Sequence, residues 1–188
     1  MRVPSEQTLE MLLKSFKLPT FAREYAAVGD TAAREGLTHP AYLLALARME
    51  AHERADRRTL RLLEESRLPK EKSLASFDLS RLSPKARTSF NALKDGSFLD
   101  RAENVLAFGN PGTGKTHLLC ALGQELVRNG RTVLFAPTFQ VVQRLLAAKR
   151  DLRLPSELKK LDRFDALLLD DIGYVQQSRE EMEVLFTL

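Results

Sequence analysis

The stretch Gly109-Asn110-Pro111-Gly112-Thr113-Gly114-Lys115-Thr116 fits the pattern G-x-x-x-x-G-K-[ST] at every fixed position. Its surroundings fit as well. Asn104-Val105-Leu106-Ala107-Phe108 before it reads as a short buried strand. Thr116 to Arg128 after it reads as a helix whose Leu118, Leu119, Leu122 and Leu126 face a core, ended by Asn129-Gly130. Such a loop binds phosphate for a physical reason. Backbone N–H groups must converge on phosphate oxygens, side chains at the glycine positions would block that approach, and the helix start adds the positive end of its dipole. Lys115 reaches the β- and γ-phosphates, and the Thr116 hydroxyl can ligate Mg²⁺. The sequence therefore predicts ATP with Mg²⁺ bound over Gly109–Thr116. A glycine-rich turn without a ligand is the alternative, and the lysine, the threonine and both flanking elements argue against it. His117, next along, either touches phosphate or packs on the helix surface, the commoner fate of a lone histidine.

Downstream, strands and helices alternate. Thr132 to Ala136 reads as a second strand, Phe139 to about Lys149 as a helix, and Ala166 to Asp170 as a third strand, apolar throughout as a parallel strand covered on both faces should be. Alternation of this kind implies a parallel sheet with right-handed crossovers. Ala166-Leu167-Leu168-Leu169-Asp170-Asp171 has the form of a Walker B motif. A carboxylate at the end of a buried strand beside the phosphate loop can hold magnesium through its water shell, and that role falls to Asp170. Asp171 would orient or deprotonate the attacking water. An apolar strand leaving through an acidic turn says little alone, but it gains force roughly fifty residues after a phosphate-binding loop.

Upstream, residues 1–70 read as helices, with Ser5 as an N-cap, Leu9, Leu12, Leu13 and Phe16 on one face, and a new start at Thr38 and Pro40. Tyr42, Leu43, Leu46 and Met49 form an apolar face, and Pro69 stops the last helix. The charged run from His52 to Arg58 reads first as a solvated stretch. Residues 71–103 are a connector, with Ser83-Pro84 as a helix start and Ala86, Phe90 and Leu93 sharing a face. The fold class is α/β: a P-loop parallel sheet with flanking helices over 104–188, preceded by a helical domain.

The 188 residues carry a net charge of +4 with 44% hydrophobic and 29% charged residues. That is an ordinary composition for a globular chain and does not suggest disorder. One segment holds the basic excess. Arg144, Lys149, Arg150, Arg153, Lys159, Lys160 and Arg163 face only Asp151, Glu157 and Asp162, an excess equal to that of the whole chain. Such a cluster is either a phosphate-backbone contact, with Arg144, Lys149, Arg150 and Arg153 as the DNA-binding candidates, or a solvated helix surface. The single cysteine, Cys120, excludes an internal disulfide and reads as a small core residue. The three histidines, at 39, 52 and 117, lack zinc spacing, and no Ser-His-Asp or Cys-His arrangement is suggested. No apolar run approaches the roughly 18 residues a membrane span needs, and the start lacks a secretory core, so a cytoplasmic protein is expected.

Asn104-Val105-Leu106, Gly-Thr-Gly-Lys-Thr-His-Leu at 112–118 and Leu-Leu-Leu-Asp-Asp-Ile-Gly-Tyr at 167–174 together resemble the IstB-like ATP-binding proteins, strongly over about 75–188 and loosely before. The resemblance implies an AAA+ helper ATPase of insertion-sequence transposition, with Lys115 and Asp171 catalytic. It implies that ATP hydrolysis regulates assembly on duplex DNA with a transposase, aided by self-association and by the helical N-terminal domain. It also turns the basic stretch toward DNA. Most Walker B motifs carry Glu at the place of Asp171. The AAA+ strand order 5-1-4-3-2 requires a fourth strand between the first and third. This chain supplies strands one to three, so a C-terminally truncated copy is expected, without strands four and five, sensor residues, arginine finger or lid. A DnaC-like helicase loader and an inactive fragment are the competing readings.

Overall fold

The computed structural model describes residues 6–174 and 178–188, so the expected cap at Ser5 lies outside the described residues. The chain divides into two compact units, Met1–Arg58 and Thr59–Leu188.

In the first unit, α1 (Glu6–Ser15) and α2 (Pro19–Glu35) precede α3 (His39–Glu65), whose last turns belong to the second unit. Gly36, at φ +65°, ends α2 in the left-handed conformation that glycine adopts without a Cβ penalty. The Thr38 hydroxyl accepts from the Ala41 N–H at 3.4 Å, so the expected start at Thr38 is present. The first turn of α2 has no side-chain cap of its own. Glu50 supplies one from α3, accepting from the Thr20 N–H at 2.9 Å while it holds Arg54 at 2.7 Å. Burial pushes the Glu50 carboxyl up, but the hydrogen bonds from Arg54 and Thr20 outweigh it and leave it below the ordinary carboxylate range. The expected apolar faces are only partly covered. Leu46 is buried, whereas Leu9, Leu12, Phe16, Leu43 and Met49 are exposed.

In the second unit, α4 (Pro84–Leu93) begins where Ser83 accepts from the Ala86 N–H at 3.2 Å, and α5 (Ser97–Asp100) follows. Then come α6 (Lys115–Arg128), β1 (Val133–Pro137), α7 (Thr138–Arg150), α8 (Leu154–Leu161), β2 (Ala166–Asp170) and α9 (Arg179–Leu185). β1 and β2 pair in parallel, Val133 beside Ala166 through Pro137 beside Asp170. A strand turns alternate residues to opposite faces, and both faces of this ribbon are covered. Val133, Phe135, Ala166 and Leu168 meet the core of α6 with Leu62, Leu68, Phe90 and Phe98. Leu134, Ala136, Leu167 and Leu169 meet the core of α7, α8 and α9 around Val142, Leu145, Leu161 and Val184.

Two expectations need correction. No strand forms over Asn104–Phe108, and the only sheet among the described residues has two strands. A strand exists by pairing, and β1 and β2 pair with each other; no backbone hydrogen bond reaches 104–108 from the described residues. Val105 packs against the α6 core, whereas Leu106 is 67% and Phe108 88% exposed. Nor is β2 buried throughout: all five of its residues are half-buried.

Candidate nucleotide site

Residues 109–114 lead into α6 through three glycines with distinct tasks. Gly114, the residue that opens the helix, sits at φ +86°, and Gly112 at φ +76°, both in the region that favours glycine. At Gly109 the reason is space, since a Cβ there would lie 3.3 Å from Thr113 Oγ1 and 3.6 Å from Lys115 Cδ. The loop closes on itself. Thr113 Oγ1 donates to the Asn110 carbonyl at 2.8 Å, and Lys115 Nζ donates to the carbonyls of Gly109 and Asn110, each at 2.8 Å. The lysine ammonium thus lies within the loop it belongs to, next to the free N–H groups of the first turn of α6.

The second motif arrives from β2. Thr116 Oγ1 donates to Asp170 Oδ1 at 2.8 Å, joining residues 54 apart in sequence. Helix and strand come this close because Gly123 lies against β2: a Cβ there would meet Leu68 at 3.1 Å and Leu168 at 3.4 Å. The Asp170 carbonyl is fixed separately by Thr138, fully buried at the start of α7, whose hydroxyl donates to it at 2.6 Å. Asp171 is exposed and adopts φ +57°, a left-handed conformation that aspartate tolerates better than most residues. A hydroxyl and a carboxylate side by side form an oxygen donor pair suited to magnesium, which takes one or two protein oxygens and keeps several waters. Among the described residues, no three His, Cys, Asp or Glu side chains gather as a metal cluster.

His117 points elsewhere. Its Nε2 lies 3.1 Å from the Ser73 carbonyl and 3.2 Å from Ser76 Oγ, and its ring meets Phe77 edge-on at 5.1 Å. Cys120 is buried in the core, and burial pushes its thiol up to about 11, so it is a packing residue and not a nucleophile.

Four of the seven basic residues of the stretch are held in ion pairs. Arg144 pairs with Glu157 at 2.6 Å, Lys149 with Glu183 at 2.9 Å, Arg153 with Asp151, and Lys160 also with Glu157. Lys160 and Arg144 hold the Glu157 carboxyl below its ordinary range, and Lys149 does the same to Glu183. Among the described residues, Arg150, Lys159 and Arg163 have no ion-pair partner. Arg144, Arg153 and Glu157 instead line a shallow depression of about 240 Å³ on α7 and α8.

Sequence reading missed Thr138, Gln124 and the segment 66–77. Gln124 carried a signal: a polar residue between Leu122 and Leu126 on an apolar helix, 5% exposed, donating to the Pro69 carbonyl at 2.9 Å.

The family model for IstB-like ATP binding proteins matches residues 11–188. An insertion-sequence ATP-binding protein of Sinorhizobium fredii is 41% identical over 184 residues, which are 97% of this chain and 62% of that protein. An ATP-binding protein of insertion sequence IS21 from Pseudomonas aeruginosa is 34% identical over 180 residues, 96% of this chain and 68% of that one. One of insertion sequence IS5376 from Geobacillus stearothermophilus is 28% identical over 169 residues, 90% and 67%. The chain thus spans about two thirds of the length of these relatives. No helix among the described residues is long and apolar enough to cross a membrane.

Proposed function

The chain belongs to the IstB-like ATP-binding protein family, and on that footing we propose that it binds ATP with Mg²⁺ over Gly109–Thr116 and serves as an ATPase helper of insertion-sequence transposition. The observation that carries the reading is the 2.8 Å bond from Thr116 to Asp170. Two motifs far apart in sequence meet at the one point where a triphosphate-bound magnesium has to be held. Their oxygens fit that ion, which would neutralise charge on the β- and γ-phosphates.

The residues of the chain do the rest. The backbone N–H groups of Asn110 and 112–116 orient the phosphates, and Lys115, swinging from its own loop carbonyls, contacts the β- and γ-oxygens. Thr138 fixes the backbone of Asp170, and Thr116 holds its carboxylate. Asp171, exposed at the end of β2, orients the attacking water and accepts its proton as the oxygen bonds to phosphorus and ADP leaves. Its side chain is one methylene shorter than the glutamate most Walker B motifs carry at this place, so turnover is expected to be slow.

The proposal extends to an AAA+ type of domain over 104–188, to self-association, and to duplex DNA contacted beside a transposase. The three relatives described are named as insertion-sequence proteins, which supports transposition over helicase loading. For DNA, Arg150, without an ion-pair partner among the described residues, is the strongest of the four candidates. Arg144, Lys149 and Arg153 would have to exchange a carboxylate for a phosphate. Residues 1–70 are proposed as the part that aids DNA contact or self-association.

Titration with ATP–Mg²⁺ tests the core of the reading. Lys115→Ala is expected to remove most binding, and Asp171→Asn to keep binding while slowing turnover by about 10²-fold or more. Unchanged affinity in Lys115→Ala would reject the site.

A further inference from the structure

The segment 66–77 runs from the end of α3 to the phosphate loop and is anchored at each step. The Ser66 carbonyl accepts from the Phe135 N–H on β1 at 2.8 Å. Leu68 packs where a Cβ on Gly123 would be, 3.1 Å away. Gln124 donates to the carbonyls of Pro69 at 2.9 Å and Lys72 at 3.3 Å. Two helical turns earlier, on the same face of α6, His117 reaches the Ser73 carbonyl at 3.1 Å. The segment is a strap, and its final anchor is the residue that follows Thr116.

We infer that His117 is a positioning residue of the nucleotide site, acting through this strap and not on the phosphates. The hydrogen bonding fixes the ring. A carbonyl can only accept, so Nε2 carries the proton toward Ser73. The Ser76 hydroxyl donates to the Glu71 carbonyl at 2.6 Å, leaving its oxygen as a second acceptor 3.2 Å from Nε2. With the ring so held, Phe77 lies edge-on to it at 5.1 Å. The far side of Phe77 closes on the loop: its Cε2 is 3.1 Å from where a Cβ of Gly114 would stand. Gly114 opens α6 in a left-handed conformation, and the N–H groups just after it are those offered to phosphate. The imidazole thus presses Phe77 against the backbone hinge of the loop. Without it, the three anchors on Ser66, Leu68 and Gln124 still hold the first part of the strap. The end from Ser73 to Phe77 is freed, and with it the constraint on Gly114. A loop that must order itself on binding gives up affinity.

This inference rests on the nucleotide reading above, so the experiment separates the two. The full 188-residue chain is compared with Lys115→Ala, His117→Ala and His117→Gln by amide hydrogen exchange without nucleotide and by titration with ATP–Mg²⁺. Glutamine places an N–H donor near the position of Nε2, which alanine lacks. In His117→Ala the amides of Ser76 and Phe77 should exchange about tenfold faster while those of α6 keep their protection, and ATP affinity should fall by about tenfold, the worth of one hydrogen bond. His117→Gln should restore both. Unchanged exchange at Ser76 and Phe77, unchanged affinity in His117→Ala, or failure of His117→Gln to restore either quantity overturns the inference. If Lys115→Ala loses binding while His117→Ala does not, the nucleotide site stands and the inference alone is lost. If Lys115→Ala binds as the parent does, the nucleotide reading falls and the inference with it.

Discussion

Two apolar segments lead into the two halves of the proposed nucleotide site, and they meet different fates. Ala166–Asp170 delivers Asp170 and forms β2, paired residue for residue with β1 and covered on both faces. Asn104–Phe108 delivers Gly109 and forms no strand, with Phe108 88% exposed. Their apolar content is comparable, with Val105, Leu106 and Phe108 against Leu167, Leu168 and Leu169. What differs is the neighbour. β2 has β1 beside it, which pairs the N–H and C=O groups along one of its edges, and two helical layers cover its side chains. Residues 104–108 have an apolar pattern and only one core contact, through Val105. Burial of a strand is conferred by the strand next to it, since unpaired backbone cannot be carried into an apolar layer without cost.

The largest expected effect that would break this comparison is in hydrogen exchange. Amides of Leu167–Asp170 that face β1 should be protected by about a thousandfold or more, and those of Val105–Phe108 close to the unstructured rate. Equal protection in the two segments would mean that 104–108 is paired in solution, with a second copy of the chain as the first suspect.

The same contrast shows how far the sequence can be read. The glycine loop at 109–114, the helix from Lys115 and the strand at 166–170 are legible because each depends on local chemistry: glycines for positive φ, apolar spacing for the helix, an apolar run closed by acids. The fate of 104–108 is not local. An apolar run states that a strand would be stable if paired and is silent on whether a partner exists. The strap at 66–77 is illegible for a related reason. Its anchors are backbone carbonyls of Ser66, Pro69, Lys72 and Ser73, which every residue has and no pattern marks. Helix α8, by contrast, was open to reading and lay hidden under charge. Leu154, Leu158 and Leu161 recur at i, i+4 and i+7 with Pro155 in the first turn, and they pack on the α7 core. The same blindness to pairing applies to the basic residues around it: composition counts Arg144 and Lys149 as free cations, and only the fold brings Glu157 and Glu183 to them.

A smaller effect sharpens the comparison at the level of single side chains. Leu168 bridges β2 to the α6 core, so Leu168→Ala should cost about 2–3 kcal/mol, short of the full range because the residue is half-buried. Leu106→Ala, in the segment without a strand, should cost less than about 0.5 kcal/mol. Urea denaturation of the two variants gives both values. A cost at Leu106 close to that at Leu168 would place Leu106 in a core that the structure does not contain.

The smallest expected effect on stability is at Phe108, and there the interest is in what changes instead. Its ring is almost wholly in water, one residue before the phosphate loop, beside Leu106 and an unpaired backbone. An exposed apolar segment with free N–H and C=O groups is a template for pairing with another chain, and a lysine on such an edge is the usual natural block. Phe108→Lys removes no buried surface, so the denaturation midpoint should stay within about 0.5 kcal/mol of the parent. The charge opposes edge-to-edge approach, so light scattering should show the variant soluble at concentrations where the parent associates. ATP affinity should be nearly unchanged, since the loop amides belong to 110–116 and a side chain at 108 points away from them into solvent. If Phe108→Lys unfolds the second unit, Phe108 is a core residue and the contrast between the two segments is false. If it folds but associates like the parent, the exposed edge at 104–108 is not what brings the chains together.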